Sequence, residues 1–165
     1  MNIVVEIAVN SKKWQEYTGL DATLFAEIAS RILSQYPNFS KVKEFELSIL
    51  LTDDASMAAL NKKFRGKDKA TNVLSFPDVY IDWRKIVEFV PDNDYMYLGD
   101  IAFGYQTIKV EAEEKSISFQ DHFKHLAIHA ILHLIGYDHV TEDEAEVMEN
   151  IEIKVLNTFG IKSPY

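Results

Sequence analysis

The chain has 165 residues, 47% of them hydrophobic and 26% charged, which suits one globular domain spanning residues 1–165. The absence of cysteine excludes a disulfide framework, a thiolate nucleophile and a cysteine-based metal site. The net charge of −9 opposes nucleic-acid binding by bulk electrostatics, although a basic run at 62–69 and an acidic run at 142–152 leave the charge polarised. With neither a signal peptide nor the roughly 20 apolar residues of a membrane span, the sequence predicts a soluble cytoplasmic protein.

The first half of the chain alternates between predicted strands and helices. Residues 3–9 and 45–51 alternate between apolar and polar positions, which is typical of strands. Between them, Asp21 is a suitable N-cap for a helix whose apolar residues recur at helical spacing: Leu24, Phe25, Ile28, Ile32 and Leu33. A second, short helix is predicted over residues 52–64 and is ended by Gly66.

Two further strands are predicted in the second half. Residues 71–76 form a strand that Pro77 stops, and residues 96–103 form the fourth strand. The segment 78–95 between them is rich in Asp, Asn and Pro, so it is predicted to be a surface insertion.

Three helices complete the prediction. Two are expected over residues 104–115 and 119–136, and the last begins at Thr141, with Glu144 completing a capping box. The stripe of the last helix that is predicted to be buried consists of Ala145, Met148, Ile151, Val155 and Phe159. Strands interleaved with helices predict an α+β fold, a small mixed four-stranded sheet packed with helices.

The histidines of residues 129–139 predict a metal site at the end of a C-terminal helix. His129 and His133 lie one turn apart on one helix face, roughly 5–6 Å apart at Cβ. Gly136 can end the helix in a left-handed conformation and let the chain bring His139 to the same point. Three neutral imidazoles leave the fourth position of a tetrahedral zinc ion open, as in catalytic sites. The pattern therefore predicts one Zn²⁺ per chain.

The alternative is that these histidines are core residues bonded to backbone carbonyls. Each buried imidazole needs partners for its polar nitrogens, so three clustered histidines in an apolar segment make this the weaker interpretation. Of the other histidines, His125 is predicted to lie near the ligands or face the substrate, and His122 to be solvated.

The spacing HxxxHxxGxxH is that of the metzincin protease motif HExxHxxGxxH. The glutamate after the first histidine is the general base of those proteases, and this chain has Ala130 there. A peptide hydrolase would need a carboxylate from elsewhere, such as residues 142–146, and stays the second hypothesis.

Three blocks of the sequence resemble the YbeY endoribonucleases, which mature ribosomal RNA in bacteria. They are residues 61–77 (NKKFRGKDKATNVLSFP), residues 98–101 (LGDI) and the histidine segment continued into residues 143–146 (DEAE). With their spacing, these blocks cover most of the chain from about residue 45 onward. The family usually has glycine where this chain has Ala130, a departure that removes no ligand.

The resemblance implies a mixed sheet with helices, a zinc ion on His129, His133 and His139, and single-stranded RNA as the substrate. The implied reaction is phosphodiester hydrolysis in maturation of the 3′ end of small-subunit (16S) ribosomal RNA and in ribosome quality control. The implied partner is the small ribosomal subunit, since Asp100 matches an aspartate linked to contact with one of its proteins. Arg65 matches an arginine that is essential in the family.

The residue chemistry around Arg65 agrees with an RNA site. An arginine presents a planar fork suited to phosphate, and Gly66 lets a backbone approach closely. We therefore predict Arg65 and His129 as catalytic residues, and Arg65 and Lys67 as substrate contacts. The basic run could instead be a solvated helix end, and Asp100 a strand-end cap or a buried ion-pair partner.

Other residues near the motifs carry weaker signals. Asp138 is a candidate for orienting a ligand, with exposure to solvent as the alternative. Phe64, Phe76 and Tyr105 could stack RNA bases, although core packing is the favoured explanation for each. No residue is identifiable as the general base. A third hypothesis is a non-enzymatic ribosome-assembly factor with a structural zinc ion.

Overall fold

In a computed structural model that describes residues 1–165, the centre of the fold is a four-stranded mixed sheet. The strands are β1 (Asn2–Val9), β2 (Glu44–Thr52), β3 (Val73–Pro77) and β4 (Tyr95–Gly104), in the order β1-β2-β4-β3. β1 runs parallel to β2 and β2 parallel to β4, whereas β3 is antiparallel to β4 and forms an edge. All four predicted strands are confirmed, with ends shifted by one or two residues.

Five α-helices and three short 3-10 helices surround the sheet. The α-helices are α1 (Ala22–Leu33), α2 (Asp54–Arg65), α3 (Tyr105–Glu114), α4 (Phe119–Leu134) and α5 (Glu142–Thr158). Asp21 caps α1 as predicted, Asp53 caps α2, and Gly66 ends α2 with a φ of 68°. The 3-10 helices Lys12–Glu16 and Pro37–Lys41 lie where the sequence predicts no element. The predicted α+β class is confirmed.

α4 is the central helix and carries two of the candidate ligands. It contacts α1, α3, α5 and two strands, and eleven of its sixteen residues are buried. Its histidines therefore lie on a rigid, close-packed element. α2 lies apart from α4 and packs on a small cluster of Met57, Leu74 and Ala102. Neither α4 nor any other helix combines the length and apolar character needed to cross a lipid bilayer.

The segment between β3 and β4 is mostly exposed, as the sequence predicts, but two of its residues are buried. Ile81 and Ile86 are only 3% and 5% exposed and belong to the main apolar core. Around them lies the third 3-10 helix, Trp83–Glu88, which Asn38 holds through hydrogen bonds to the carbonyls of Ile86 and Phe89. The prediction is wrong for these residues because the Asp, Asn and Pro that suggested it flank two inward-facing isoleucines.

The predicted capping box of α5 forms only in part. The Thr141 hydroxyl accepts a hydrogen bond from the Glu144 backbone N–H at 3.2 Å. The Glu144 carboxylate does not return to the cap and instead accepts from the Arg84 guanidinium at 2.7 Å. This ion pair ties the start of α5 to the segment between β3 and β4.

Candidate metal centre and its cleft

The turn after α4 brings the third histidine back to the other two. His129 and His133 lie near the end of α4, and His139 lies in the connection to α5. Gly136 has a φ of 102°, and a Cβ at this position would lie 2.0 Å from the carbonyl oxygen of Ile81. Only glycine therefore lets the chain pass this close to the segment between β3 and β4.

Tyr137 fixes the turn and orients one imidazole. Its side chain is buried, with its hydroxyl 2.7 Å from that of Tyr36 and its ring stacked on Trp83 at 5.7 Å. Its backbone carbonyl accepts a hydrogen bond from Nδ1 of His133 at 2.8 Å. Burial lowers the pKa of His133 to about 4, with the charge of the neighbouring His129 as the second cause. The ring is therefore neutral at pH 7 and can act as a ligand.

The three imidazoles converge on one point. One candidate ligand nitrogen of each of His129, His133 and His139 lies within 4.8 Å of the others, and the Nε2 atoms of His129 and His133 are 3.0 Å apart. Two nitrogens bound at the usual 2.0–2.1 Å to one tetrahedral zinc ion would be about 3.3 Å apart. His139 is exposed, so the group is open to solvent on one side. These residues can hold a metal ion.

The hydrogen bonds made by the Nδ1 atoms of His129 and His133 favour a metal ion between their Nε2 atoms. Nδ1 of His129 and Nδ1 of His133 each have an acceptor, so each carries the proton. Their Nε2 atoms consequently present lone pairs to each other. Two facing lone pairs repel unless a cation lies between them, which agrees with the donor set of a metal site.

Glu152 is a site residue that the sequence reasoning missed. It lies on α5 with no solvent exposure, and its Oε1 accepts from Nδ1 of His129 at 2.6 Å. Its Oε2 accepts from the Tyr165 hydroxyl at 2.6 Å and lies 3.4 Å from Nε2 of His125. Burial raises its pKa, but the hydrogen bonds from His125, His129 and Tyr165 outweigh this and lower the pKa to about 2. A charged carboxylate therefore orients His129, an arrangement common around metal-binding histidines.

A signal for Glu152 was present in the pattern of α5. Met148 and Val155 are buried as predicted, and Glu152 lies four residues after Met148 on the same face. Its five acidic neighbours in the run 142–152 concealed it, because the run as a whole is typical of a solvated surface. A carboxylate on a buried stripe needs a partner, and the histidine group is that partner.

The histidines form one wall of a cleft of about 660 Å³. Arg65, at the end of α2, lines the same cleft, as do Val73 and Ser75 of the edge strand β3. The Arg65 side chain is exposed and takes part in none of the ion pairs of the protein. The guanidinium is therefore available to an anion in the cleft.

Lys67 and Asp100, the other predicted contact residues, lie outside this cleft. Lys67 is exposed in the loop after α2 and does not line the cleft. Asp100 is exposed on β4, where its Oδ1 accepts from the Tyr97 hydroxyl at 3.0 Å. It is neither buried nor ion-paired, so the alternative of a buried ion pair is wrong.

Asp138 is the only carboxylate that lines the cleft. Its Oδ1 accepts from the backbone N–H of His139 at 2.8 Å, so it braces the turn and is not bonded to an imidazole. None of the carboxylates of residues 142–146 lines the cleft. The run 142–146 therefore supplies no carboxylate to this cleft as a general base of the metzincin kind.

The structure decides the interpretation of three further residues. His122 is 1% exposed and lies 3.4 Å from Glu111 Oε2, so its predicted solvation is wrong because α3 covers this part of α4. His125 lines the cleft and reaches Glu152, as predicted for a residue near the ligands. Tyr105 is 3% exposed and packs edge-on against Trp14, which rules out base stacking.

The aromatic pair Phe64 and Phe76 lies apart from the histidines. Their rings are 5.1 Å apart, and Phe64 is 56% exposed, so Phe64 is not a core residue. Phe76 alternates along β3 with Ser75 and Pro77, which line the cleft. The pair therefore lies on the other face of the strand.

Comparison with known proteins identifies the family of the chain. A family model described as Endoribonuclease YbeY matches residues 9–160. An Endoribonuclease YbeY from Rhodopseudomonas palustris is 41% identical over 160 residues, covering 97% of this chain and 80% of that protein. The solution structure of a Thermotoga maritima protein has a TM-score of 0.54 at 21% identity, covering 94% of this chain and 91% of that one, and supports the fold alone. Since the family model matches most of the chain and the curated relative is 41% identical over 97% of it, the chain belongs to the endoribonuclease YbeY family.

Proposed function

We propose that this protein is a zinc-dependent endoribonuclease that cleaves single-stranded RNA in maturation of the small-subunit ribosomal RNA 3′ end and in ribosome quality control. The observation that carries the proposal is one cleft lined by His129, His133, His139 and the unpaired Arg65. Membership of the endoribonuclease YbeY family supports RNA as the substrate. A ribosomal substrate implies that the protein works in the cytoplasm.

The ligand set suits an anionic substrate. His129, His133 and His139 would hold one zinc ion, and as neutral ligands they would leave its double positive charge intact. Bound zinc supplies Lewis-acid polarisation of a phosphoryl oxygen and lowers the pKa of water. Glu152 keeps the proton of His129 on Nδ1 and so leaves Nε2 free as a donor to the metal.

Arg65 is the proposed catalytic cation of the chain. Its guanidinium would bind the phosphate and stabilise the charge that develops in the transition state. Lys67, in the loop beyond Arg65, would contact a phosphate outside the cleft and add affinity without chemistry. On the exposed part of β4, Asp100 would contact a protein of the small ribosomal subunit.

RNA cleavage with and without metal tests the proposal. The purified protein should contain about one zinc ion per chain by elemental analysis, and the variant with His129, His133 and His139 all changed to Ala should contain none. Zinc-loaded protein should cut single-stranded RNA that carries the small-subunit 3′ end and should leave a duplex of the same sequence intact. Chelation should abolish cleavage and added zinc should restore it.

The same assay separates the alternatives. Zinc-dependent hydrolysis of casein without RNA cleavage would establish a peptide hydrolase. Stable zinc binding with no cleavage of either polymer would favour an assembly factor with a structural metal. Metal retained by the triple variant would place the ion elsewhere.

A further inference from the structure

We propose that the ring of Tyr165 is a stacking platform for one base of the RNA, next to the histidine group. The inference rests on the proposed endoribonuclease function and adds a base-binding subsite to the same cleft. Tyr165 lies in the segment that follows α5 and lines the cleft together with His125 and His129. None of the motifs in the sequence points to it.

Tyr165 is held in place by its hydroxyl group. The hydroxyl donates to Oε2 of the buried Glu152 at 2.6 Å and lies 3.2 Å from Nε2 of His125. The ring stands edge-on to the imidazole of His125, with centroids 5.6 Å apart. These contacts fix the orientation of the ring before any substrate binds, which lowers the entropy cost of binding.

Apart from this edge contact with His125, the ring has no packing role that would explain its position. Tyr165 is 60% exposed and is not part of the apolar core. Its polar atom is already bonded, so the free part of the side chain is the aromatic face. An exposed aromatic face in a cleft is the feature that single-strand-binding proteins use to stack bases. Tyr80 also lines the cleft and is 88% exposed, but no hydrogen bond holds it.

The location of the ring determines which position along the RNA it can bind. Glu152 bonds Tyr165 through one oxygen and His129 through the other, so a single carboxylate separates the ring from the candidate metal ligand. A nucleotide with its phosphate at the histidine group would therefore place a neighbouring base beside Tyr165. A paired base in a duplex could not reach the ring, whereas an unstacked base in a single strand could. The subsite should tolerate all four bases, because each has a stacking face.

The test uses single-stranded RNA with 2-aminopurine at successive positions around the cleavage site. Stopped-flow mixing with zinc-loaded protein records base stacking as fluorescence quenching before cleavage occurs. One position should be quenched on binding. Tyr165→Leu, which keeps apolar bulk and removes the aromatic ring, should abolish this quench and weaken binding about 5- to 100-fold.

Two variants separate stacking from anchoring of the carboxylate. Tyr165→Phe removes the hydroxyl bond to Glu152 but keeps the ring, so it should retain the quench and most of the affinity. Tyr95→Leu is the matched control, since Tyr95 is 45% exposed, also donates its hydroxyl to a glutamate (Glu46), and lies outside the cleft. It should behave like the unchanged protein. Zinc content is measured for every variant.

Two outcomes would overturn the inference while leaving the proposed function intact. If Tyr165→Phe binds as weakly as Tyr165→Leu, the hydroxyl acts through Glu152 and the ring is not a platform. If Tyr165→Leu keeps both quench and affinity, no base stacks there. In either case the unchanged protein still cuts RNA; if it neither binds nor cuts RNA, the proposed function itself fails.

Discussion

Glu152 shows how a single buried charge can organise a candidate metal centre. Both of its oxygens are used, one by His129 and the other by the Tyr165 hydroxyl, and it has no contact with solvent. We expect Glu152→Gln to weaken zinc affinity about 10- to 100-fold, the usual effect of removing such a partner of a ligating histidine. The neutral amide keeps the shape but supports the imidazole less strongly.

Chelator competition at fixed pH measures that affinity. Glu146→Gln is the matched control because Glu146 lies on the same helix, is exposed and lines neither cavity beside the histidines. Unchanged zinc affinity in Glu152→Gln, with the control also unchanged, would contradict the orienting role.

Substitution of Arg65 tests whether this residue acts in catalysis or only in RNA binding. Arg65→Lys keeps the charge and loses the planar fork, so single-turnover cleavage should slow by about 10²- to 10³-fold, the scale of losing one preorganised donor. RNA affinity should fall far less, and zinc content should not change, since Arg65 is not a ligand. Parallel single-turnover and equilibrium-binding measurements provide the comparison.

Lys67→Gln is the control, because we expect it to weaken RNA binding while leaving the cleavage rate unchanged. Lys67 does not line the cleft, so its loss should weaken binding and its salt dependence without slowing the bound-state reaction. A loss of affinity in Arg65→Lys in proportion to its loss of rate would make Arg65 a docking residue. An unchanged rate would remove it from the active site.

At the scale of elements, α4 carries two of the candidate ligands and also lies at the centre of the core. Ala130 is fully buried in the main apolar core, and its carbonyl accepts from the Ser75 hydroxyl at 3.2 Å. Ala130→Glu, which restores the metzincin motif, would therefore bury an unpaired carboxylate. We expect a loss of several kcal/mol in the free energy of unfolding and no casein hydrolysis. Urea denaturation and a casein assay check both expectations.

Ala130→Gly is the control for that change, since it leaves only a small gap in α4. It should cost about 1 kcal/mol, the usual penalty for glycine in a helix interior, and leave zinc binding unchanged. Efficient casein hydrolysis by a stable Ala130→Glu protein would show that the peptide-hydrolase hypothesis was ranked too low.

The elements also show where periodicity is a reliable guide. β2 alternates between partly buried and buried residues from Glu44 to Leu51, and α1 buries each of its five predicted apolar positions. Such patterns follow from local geometry, so the sequence predicts them well. The 3-10 helix Trp83–Glu88 lacks a period of its own, and its burial depends on contacts with Asn38 that are distant in the chain.

At the scale of the whole molecule, the candidate metal centre is built from residues of α4, of α5 and of the connection between them. Two of the candidate ligands belong to α4 and the third to the connection, and the carboxylate that orients His129 belongs to α5. A metal that binds only the folded chain stabilises it by about 2.7 kcal/mol when its free concentration is 100 times Kd. For a chain of this length, the melting temperature should then rise by roughly 5–10 °C.

Differential scanning calorimetry with zinc and with chelator measures this shift. The triple variant of His129, His133 and His139 to Ala should melt at the same temperature in both conditions. A shift that persists in the variant would mean that zinc stabilises the protein from a different site.

The sequence by itself determined the strands, the five α-helices, the candidate ligand triad and the candidate arginine. Each of these features follows from residues that are close together in the sequence. The examples are one helical turn between His129 and His133, a glycine after the helix, and a cluster of cations around Arg65. Only the tertiary structure decided that Arg65 shares a cleft with the histidines, that Glu152 orients His129 and that His122 is buried. These facts join residues that are far apart in the chain, and no local period encodes which distant surfaces will face each other when the core closes.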